Sequence, residues 1–380
     1  MLLVVLSVVC VVGAGLVGLL AYFRSGSSEG AALVLIFALL PLPFVVGFFL
    51  FADRYEPEPT RYVIAAFSWG AVGSVALVLG IQLLLLRGLD IEVSDPILAT
   101  VWAPGFEEGS KALFLVALVV FRRHHLGGVL DGVVYAGIAG AGFAFTENVL
   151  YYAGAYSGSL AEDNPDVEEF DGAGATTLLF VVRGLFSPFA HSLFCVAFGI
   201  AVGLAVSTRL RWVRWVAPPV GLLASMGLHA AWNGSVTFGG PSSFLLAYTL
   251  GFIPLLLAGV ALAVVMRTRE GRMLVRALRD AAARGWLHPD EIVWLSRFAL
   301  RRRARSFARL VGGAPAKQAV ATYQELATRL AFAHDRVLTG HGGPEQRARV
   351  GMLLAQMAQV RPYVVLPPPV PTRRPEHPSR

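Results

Sequence analysis

The sequence predicts an all-α fold: a polytopic membrane bundle of about eight spans, followed by a small C-terminal cytoplasmic helical domain. First, 56% of the 380 residues are hydrophobic and only 15% are charged. Second, apolar runs long enough to cross a bilayer, which takes about 20 residues, recur through residues 1–267. Third, about two-thirds of the 32 lysines and arginines follow Met266, so the net charge of +7 belongs to the C-terminal part.

Each predicted span is an uninterrupted apolar run between polar or turn-forming residues. The first run lacks a basic leading segment and is too long for a cleaved secretion signal, so we expect it to remain in the protein. Cys10 and Cys195 lie in different runs, which gives no disulfide framework, and Cys195, one turn after His191, is expected to be a small packing residue. The predicted spans are Leu2 to Phe23, Ala31 to Phe51, Tyr62 to Leu86, Ile97 to Phe121, Val129 to Tyr156, Ala175 to Ser207, Trp215 to Phe238 and Phe244 to Met266.

The loops predict an orientation, because short cytoplasmic loops carry an excess of lysine and arginine. The loop from Arg122 to His125 and the loop from Arg209 to Arg214 are basic and therefore predicted to be cytoplasmic. The segment from Glu162 to Asp171 has six acidic residues and no basic one. Alternation of the spans then places both termini in the cytoplasm and the loop from Asp90 to Asp95 outside.

Span four carries charged residues in its middle, namely Glu107, Glu108 and Lys111. A charge at the bilayer centre costs about 2.5 kcal/mol or more, so such residues face a protein interior or a wet cavity. Lys111 follows the two glutamates by three and four residues and can neutralise one of them. We therefore expect the remaining carboxylate to act on water as a base and then as an acid.

Spans five to seven add further polar groups at a similar depth. Counted from the outer ends, with Arg183 taken as an interface anchor, four residues lie about 12 to 15 Å below the outer surface at 1.5 Å per residue. They are Glu107, Glu147, His191 and His229. We therefore expect spans four to seven to form an inner bundle around one site, a catalytic core of about residues 97–238.

Two mechanisms fit these residues. Glu147, His191 and His229 could bind a divalent metal, with Zn²⁺ the first candidate, in a three-ligand site that leaves one position open. Alternatively, the histidines and Asn233 could hold the oxyanion by hydrogen bonds without a metal. Asn233 lies one turn after His229 and could instead orient that imidazole. The sequence leaves these alternatives open.

The set Glu107-Glu108-x-x-Lys111, Phe143-x-x-x-Glu147-Asn148, His191 and His229-x-x-x-Asn233, each on its own span, resembles the PrsW family of intramembrane proteases. The resemblance implies a bacterial cell-membrane peptidase in which Glu107 and Glu108 are catalytic, with Lys111 beside them, and in which Glu147, His191, His229 and Asn233 complete the site. It also implies a membrane-anchored protein substrate, of which anti-sigma factors are an example. The family is usually classed as metalloprotease.

Two other functions compete with proteolysis. Buried glutamates and histidines also serve as proton or ion relays in transporters, although we see no inverted repeat between the halves. A non-catalytic scaffold could bind partner helices in the same cavity.

Residues 268–360 predict a basic helical domain, with helices at Arg267 to Arg284, Pro289 to Leu310, Pro315 to Leu338 and Pro344 to Val360. Residues 361–380, rich in proline and arginine, predict a disordered tail. The run Arg301-Arg302-Arg303-x-Arg305 suggests contact with anionic lipid or a solvated face more than with nucleic acid.

Overall fold

The computed structural model describes residues 2–85, 95–122, 126–158, 171–238, 240–340 and 343–368. Within these ranges the chain is almost entirely helical and contains no β-strand, which confirms the all-α fold. The chain divides into two compact units, Met1–Val264 and Val265–Arg380. The first contains the apolar segments and the second contains the basic helices.

All eight predicted spans are helical over nearly their full predicted lengths. Among the described residues, five helical segments are long and apolar enough to cross a membrane: Ser28–Ala52, Thr60–Leu83, Val129–Tyr156, Gly172–Ser207 and Ser242–Ala283. The helices that begin in this unit are α1 (Leu2–Ser25), α2 (Ser28–Leu39), α3 (Leu42–Ala52), α4 (Thr60–Ser68), α5 (Val75–Leu83), α6 (Asp95–Ile97), α7 (Ala103–Arg122), α8 (Val129–Tyr156), α9 (Gly172–Phe180), α10 (Ala190–Ser207), α11 (Arg211–Thr237), α12 (Gly240–Ala247) and α13 (Ile253–Ala283).

Helix α8 is the centre of the membrane unit and packs against α1, α2, α3, α4 and α10. Its contact with α10 depends on glycine, because a Cβ built on Gly132 would lie 2.1 Å from the carbonyl oxygen of Gly199. A Cβ on Gly140 would lie 2.7 Å from the carbonyl oxygen of His191. Small residues thus let the two backbones touch. The second contact fixes the height of His191 beside α8.

Several spans contain a turn of π-helix, which is rare and is often found near functional sites. These turns are Trp69–Ser74, Leu98–Trp102, Val181–Phe186 and Tyr248–Phe252. The turn in span three meets α7, where the Trp69 indole donates to the carbonyl oxygen of Ser110 at 2.9 Å. The hydroxyls of Ser74 and Ser110 lie 2.6 Å apart. This contact holds the turn of α7 that carries the two glutamates.

The C-terminal unit contains the end of α13, a 3₁₀ turn (Pro289–Glu291), α14 (Ile292–Ser296), α15 (Phe298–Leu338) and α16 (Pro344–Val360). α15 joins two predicted helices across a kink at Gly312 and Gly313, and Gly313 has a φ of 70°, which favours glycine. Arg301 and Arg305 of the basic run turn inward to Thr328 and Gln324. Only the remaining arginines of that run face outward.

The first residues of the predicted disordered tail are ordered. Residues Arg361–Tyr363 form a 3₁₀ turn, and Val364 and Leu366 pack against the cluster around Trp294. Two apolar side chains therefore hold this proline-rich segment against the C-terminal unit. Its proline-rich composition does not predict this packing. Residues 369–380 lie outside the described residues, as do most of the loops at 86–94, 123–125 and 159–170 on which the predicted orientation depends.

Candidate active site

The centre of the site is the pair Glu107 and Glu108 on α7, which are only 8% and 2% exposed. The Lys111 ammonium lies 2.7 Å from Glu108 Oε1 and 3.4 Å from Glu107 Oε2. It also lies 3.8 Å from the centre of the Phe143 ring, so one face of the cation is covered by an aromatic side chain. The lysine was predicted to neutralise one glutamate; it contacts both carboxylates and is closer to Glu108.

Glu108 is surrounded by donors on both of its oxygens. Besides Lys111, His229 Nδ1 lies 3.0 Å from Oε1, and Ser225 Oγ donates to Oε2 at 2.7 Å. The Cys195 thiol donates to the same oxygen at 3.3 Å. A carboxylate offers about four lone-pair positions, so these four donors use nearly all of its capacity. Glu108 is therefore suited to fixing its neighbours rather than to exchanging protons with a substrate.

Glu107 has far fewer contacts. Its Oε2 faces Lys111 and lies 3.9 Å from His229 Nε2. Its backbone carbonyl accepts a hydrogen bond from Ser110 Oγ at 2.9 Å, which steadies the turn. Of the two glutamates, Glu107 therefore has the carboxylate that is free to accept a proton.

Glu147 on α8 lies on the other side of the imidazoles. Its Oε2 is 2.6 Å from His191 Nε2 and accepts a hydrogen bond from Arg183 Nη2 at 2.6 Å. Arg183 Nε donates to Asn148 Oδ1 at 2.9 Å. The expected interface anchor is therefore an inward-facing partner of Glu147, because the π-helical turn Val181–Phe186 carries Arg183 toward α8.

The hydrogen-bond partners define the tautomer of each imidazole. His191 Nδ1 lies 3.3 Å from Lys111 Nζ. An ammonium can only donate, so Nδ1 accepts and the proton on Nε2 is donated to Glu147. In His229 the proton on Nδ1 is donated to Glu108, which leaves the lone pair of Nε2 toward Glu107. Each ring thus has one nitrogen held by a carboxylate and the other directed away from that carboxylate.

This arrangement fits a divalent metal. Glu107, His191 and His229 each offer a ligand atom within 4.8 Å of the others, the one such group of three among the described residues. Histidine ligands usually donate their second nitrogen to a carboxylate, as His191 does to Glu147 and His229 does to Glu108. The ligand set predicted from the sequence contains Glu147 instead of Glu107, and Glu147 Oε2 here contacts His191 Nε2 and Arg183.

A small cavity of about 10 Å³ adjoins the cluster and is lined partly by Glu108, Lys111, Cys195 and Ser225. That volume is close to the minimum needed for one water molecule. The site is therefore compact, and its polar groups satisfy one another directly.

Asn233 lies apart from the other predicted site residues. Its Nδ2 donates to the carbonyl oxygen of Ala99 at 2.9 Å, at the start of span four. In this conformation it neither contacts the His229 imidazole nor joins the carboxylate cluster. Its position ties α11 to the π-helical turn that precedes α7.

Sequence reasoning missed Ser225 and gave Cys195 a packing role. Ser225 lies one helical turn before His229, so the i, i+4 spacing that pairs side chains on a helix could have revealed it. Cys195 lies one turn after His191, and it was treated as a small packing residue because a lone buried cysteine most often is one.

Comparison with known proteins gives consistent matches. Residues 58–265, more than half of the chain, match the family described as PrsW family intramembrane metalloprotease. The chain is similar to Protease PrsW of Clostridioides difficile, with 34% identity over 119 residues, 30% of this chain and 50% of that protein. Protease PrsW of Bacillus subtilis is 29% identical over 110 residues, 29% of this chain and 49% of that protein.

A third relative, Protease PrsW of Geobacillus kaustophilus, is 26% identical over 174 residues, 45% of this chain and 67% of that protein. The chain thus spans about half the length of the first two curated relatives it matches. No solved structure matches.

Proposed function

Since the chain belongs to the PrsW family of intramembrane metalloproteases, we propose that it hydrolyses a peptide bond of a membrane-anchored protein, in or beside the bilayer. One observation carries the proposal: Glu107, His191 and His229 present their ligand atoms within 4.8 Å of one another. Three different helices contribute these residues, so the group is built by the fold.

In this mechanism Glu107 accepts a proton from the attacking water and delivers it to the nitrogen of the leaving amine. Glu108 stays ionised and holds Lys111 and His229 in place. The Lys111 ammonium and the His229 imidazole are the groups nearest to the Glu107 carboxylate. Glu147 and Arg183 hold His191 in the tautomer whose Nδ1 lone pair faces Lys111. Glu107 thus moves the proton, and the other residues fix the groups around it.

A divalent metal, when bound by His191, His229 and one carboxylate oxygen of Glu107, would act as a Lewis acid that polarises the scissile carbonyl and lowers the pKa of water. The other oxygen of Glu107 would remain to accept the proton. The metal-free alternative needs a different protonation of His229. There, Nδ1 still donates to Glu108, and Nε2 must carry a second proton to donate to the oxyanion. The two versions therefore differ in the protonation of His229 as well as in the metal.

The proposed substrate is a protein with a single membrane-spanning helix, and anti-sigma factors belong to that class. We further propose that both termini of the chain are cytoplasmic. The supporting argument is the basic composition of the loop around Arg209 and Arg211, since positive loops remain inside.

The first test compares Glu107→Gln and Glu108→Gln in proteoliposomes that contain a single-span model substrate. Glu107→Gln should fold normally and lose at least about 100-fold in cleavage rate, since a general base contributes about 10²- to 10⁴-fold. Glu108→Gln should also lower thermal stability, because Lys111 loses the partner of a buried ion pair, a loss of about 3 to 5 kcal/mol. Cleavage is followed by mass spectrometry of the products.

Glu345→Gln, an exposed position in the C-terminal unit, is the matched control and should cleave normally. Cleavage retained in Glu107→Gln would contradict the proposed base. Metal analysis of purified protein separates the two versions. About one divalent ion per chain, lost in His229→Ala, supports the metal, and full activity without any ion supports the hydrogen-bonded oxyanion.

A further inference from the structure

The first half of α15 carries a face on which exposed arginines and the exposed Leu310 lie together. Arg302, Arg303 and Arg309 are exposed, and Leu310 and Val311 are 87% and 60% exposed. Positions 302, 306, 309 and 310 follow the three- and four-residue spacing that places side chains on one side of a helix. The buried Ala304 and Ala308 lie on the opposite side. This face, formed by Arg302, Arg303, Arg309 and Leu310, is called the basic face below, and Val311 follows it at the end of this half of α15.

The aliphatic pair lies at a corner of the C-terminal unit. Immediately after it, Gly312 and Gly313 leave helical geometry, so α15 changes direction there. Gly312 also lines a cavity of about 450 Å³, together with Tyr363, which is 70% exposed. Several apolar side chains are therefore exposed at this corner.

The positive charges of the basic face are not neutralised locally. Within the described part of the chain, no acidic side chain forms an ion pair with Arg302, Arg303 or Arg309. Arg301 is held by Thr328 instead of pointing outward, so the outward charge is concentrated on the side that also bears Leu310.

Arginines beside exposed aliphatic side chains are the two parts that an amphipathic helix uses at a lipid interface. The arginines bind headgroup phosphates, and the aliphatic chains enter the boundary with the acyl chains. Nucleic acid would use the arginines but would leave Leu310 and Val311 in water. We propose that the basic face docks the C-terminal unit onto an anionic lipid surface. This proposal does not depend on the proteolytic activity.

The test uses the full-length chain in nanodiscs of phosphatidylcholine alone or with about one-third phosphatidylglycerol. A fluorophore sensitive to polarity is attached to Leu310→Cys in a Cys10→Ser background, since Cys195 is buried. We expect blue-shifted emission in anionic nanodiscs, and its loss in high salt, which screens surface charge. Both leaflets have the same lipids, so the result does not depend on topology.

A pair of double variants gives the matched comparison. Arg302→Gln with Arg309→Gln should lower the ratio of docked to undocked protein on the order of 30-fold, since each arginine contributes about fivefold. Arg347→Gln with Arg349→Gln removes the same charge from exposed positions of α16 and should change the ratio little.

Three outcomes would overturn the proposal. Equal emission in both lipids would show that anionic headgroups are not recognised. An equal effect of the two double variants would show that docking depends on the net charge of the unit and not on the basic face. A blue shift that requires added RNA would assign the basic face to nucleic acid.

Discussion

At the scale of single residues, the site is a chain of polar contacts in which each group restrains the next. Arg183 binds Glu147, Glu147 binds His191 Nε2, and His191 Nδ1 faces Lys111. Lys111 in turn binds Glu108, which accepts from His229 Nδ1. A buried network of this kind is stabilising only when its members are satisfied. Substitution of a residue at one end of this chain of contacts should therefore affect the residues at the other end.

Arg183 tests this dependence without touching a proposed metal ligand. Its guanidinium uses Nη2 for Glu147 and Nε for Asn148, a forked geometry that lysine cannot reproduce. We expect Arg183→Gln to lower cleavage about 10- to 100-fold, as loss of groups behind metal ligands does, and Arg183→Lys to restore part of it. Cleavage rate and bound metal are measured together.

Arg24→Gln, an exposed arginine at the end of α1, serves as the control and should leave both quantities unchanged. If Arg183→Gln cleaves and binds metal normally, Glu147 does not need Arg183 to hold His191.

Sequence reasoning grouped Glu107, Glu147, His191 and His229 by their predicted depths, which follow from counting along a helix, and the structure brings these side chains together. Sequence reasoning could not predict the partners of Arg183 or Asn233. The direction in which a side chain leaves its helix depends on how the neighbouring helices pack. The π-helical turn at Val181–Phe186 changes that direction for Arg183, and no apolar pattern reports such a turn. Ser225 was within reach of sequence reasoning, since it is one turn from His229.

At the scale of helices, the contact between α8 and α10 sets the distance between Glu147 and His191. The contact is tight at Gly140, where an added Cβ would meet the carbonyl oxygen of His191 at 2.7 Å and Ser192 Cα at 2.8 Å. Both atoms belong to the backbone, so a side-chain rotation cannot relieve the overlap. The helices themselves would have to separate.

Gly140→Ala should therefore displace α10 and with it the His191 imidazole. Overpacking of this kind costs about 1 to 3 kcal/mol, so we expect a lower thermal midpoint in detergent together with reduced cleavage. Gly227→Ala is the control, because it lies on α11 near His229 and has no atom within 4 Å of the added carbon. A Gly140→Ala protein as stable and active as Gly227→Ala would mean that the close approach is not required.

Most predicted spans end close to the ends of helices, because a spanning helix needs a certain hydrophobic length. The exception is α13, which continues past Met266 to Ala283. The bends and π-helical turns inside the spans could not be predicted from the sequence. The bend at Ser187, with φ −125° and ψ 39°, and the inserted π-helical turns depend on contacts between distant segments. The docking of Val364 and Leu366 onto the C-terminal unit depends on tertiary packing in the same way.

At the scale of the whole molecule, the membrane unit is closed at one end by polar contacts as well as by apolar packing. Asp53, at the end of α3, is 3% exposed and accepts the Glu58 backbone N–H at 2.7 Å. Glu58 in turn accepts the Tyr135 hydroxyl at 2.7 Å, which joins this loop to α8. Burial raises the pKa of Asp53 to about 8, and the nearby Asp131 and Glu56 act in the same direction. Burial also raises the pKa of Glu58.

These raised pKa values predict that stability falls as pH rises. Between about pH 4 and pH 8, folded Asp53 keeps a proton that the unfolded chain has lost, so each step upward favours unfolding. The slope is at most about 1.4 kcal/mol per pH unit for this group, and it vanishes above the folded pKa. Asp53→Asn keeps the oxygen acceptor and has no charge to bury. Its thermal midpoint should match that of the parent near pH 4 and exceed it increasingly up to about pH 8, whereas an unchanging difference across that range would show that Asp53 is ionised in the folded protein.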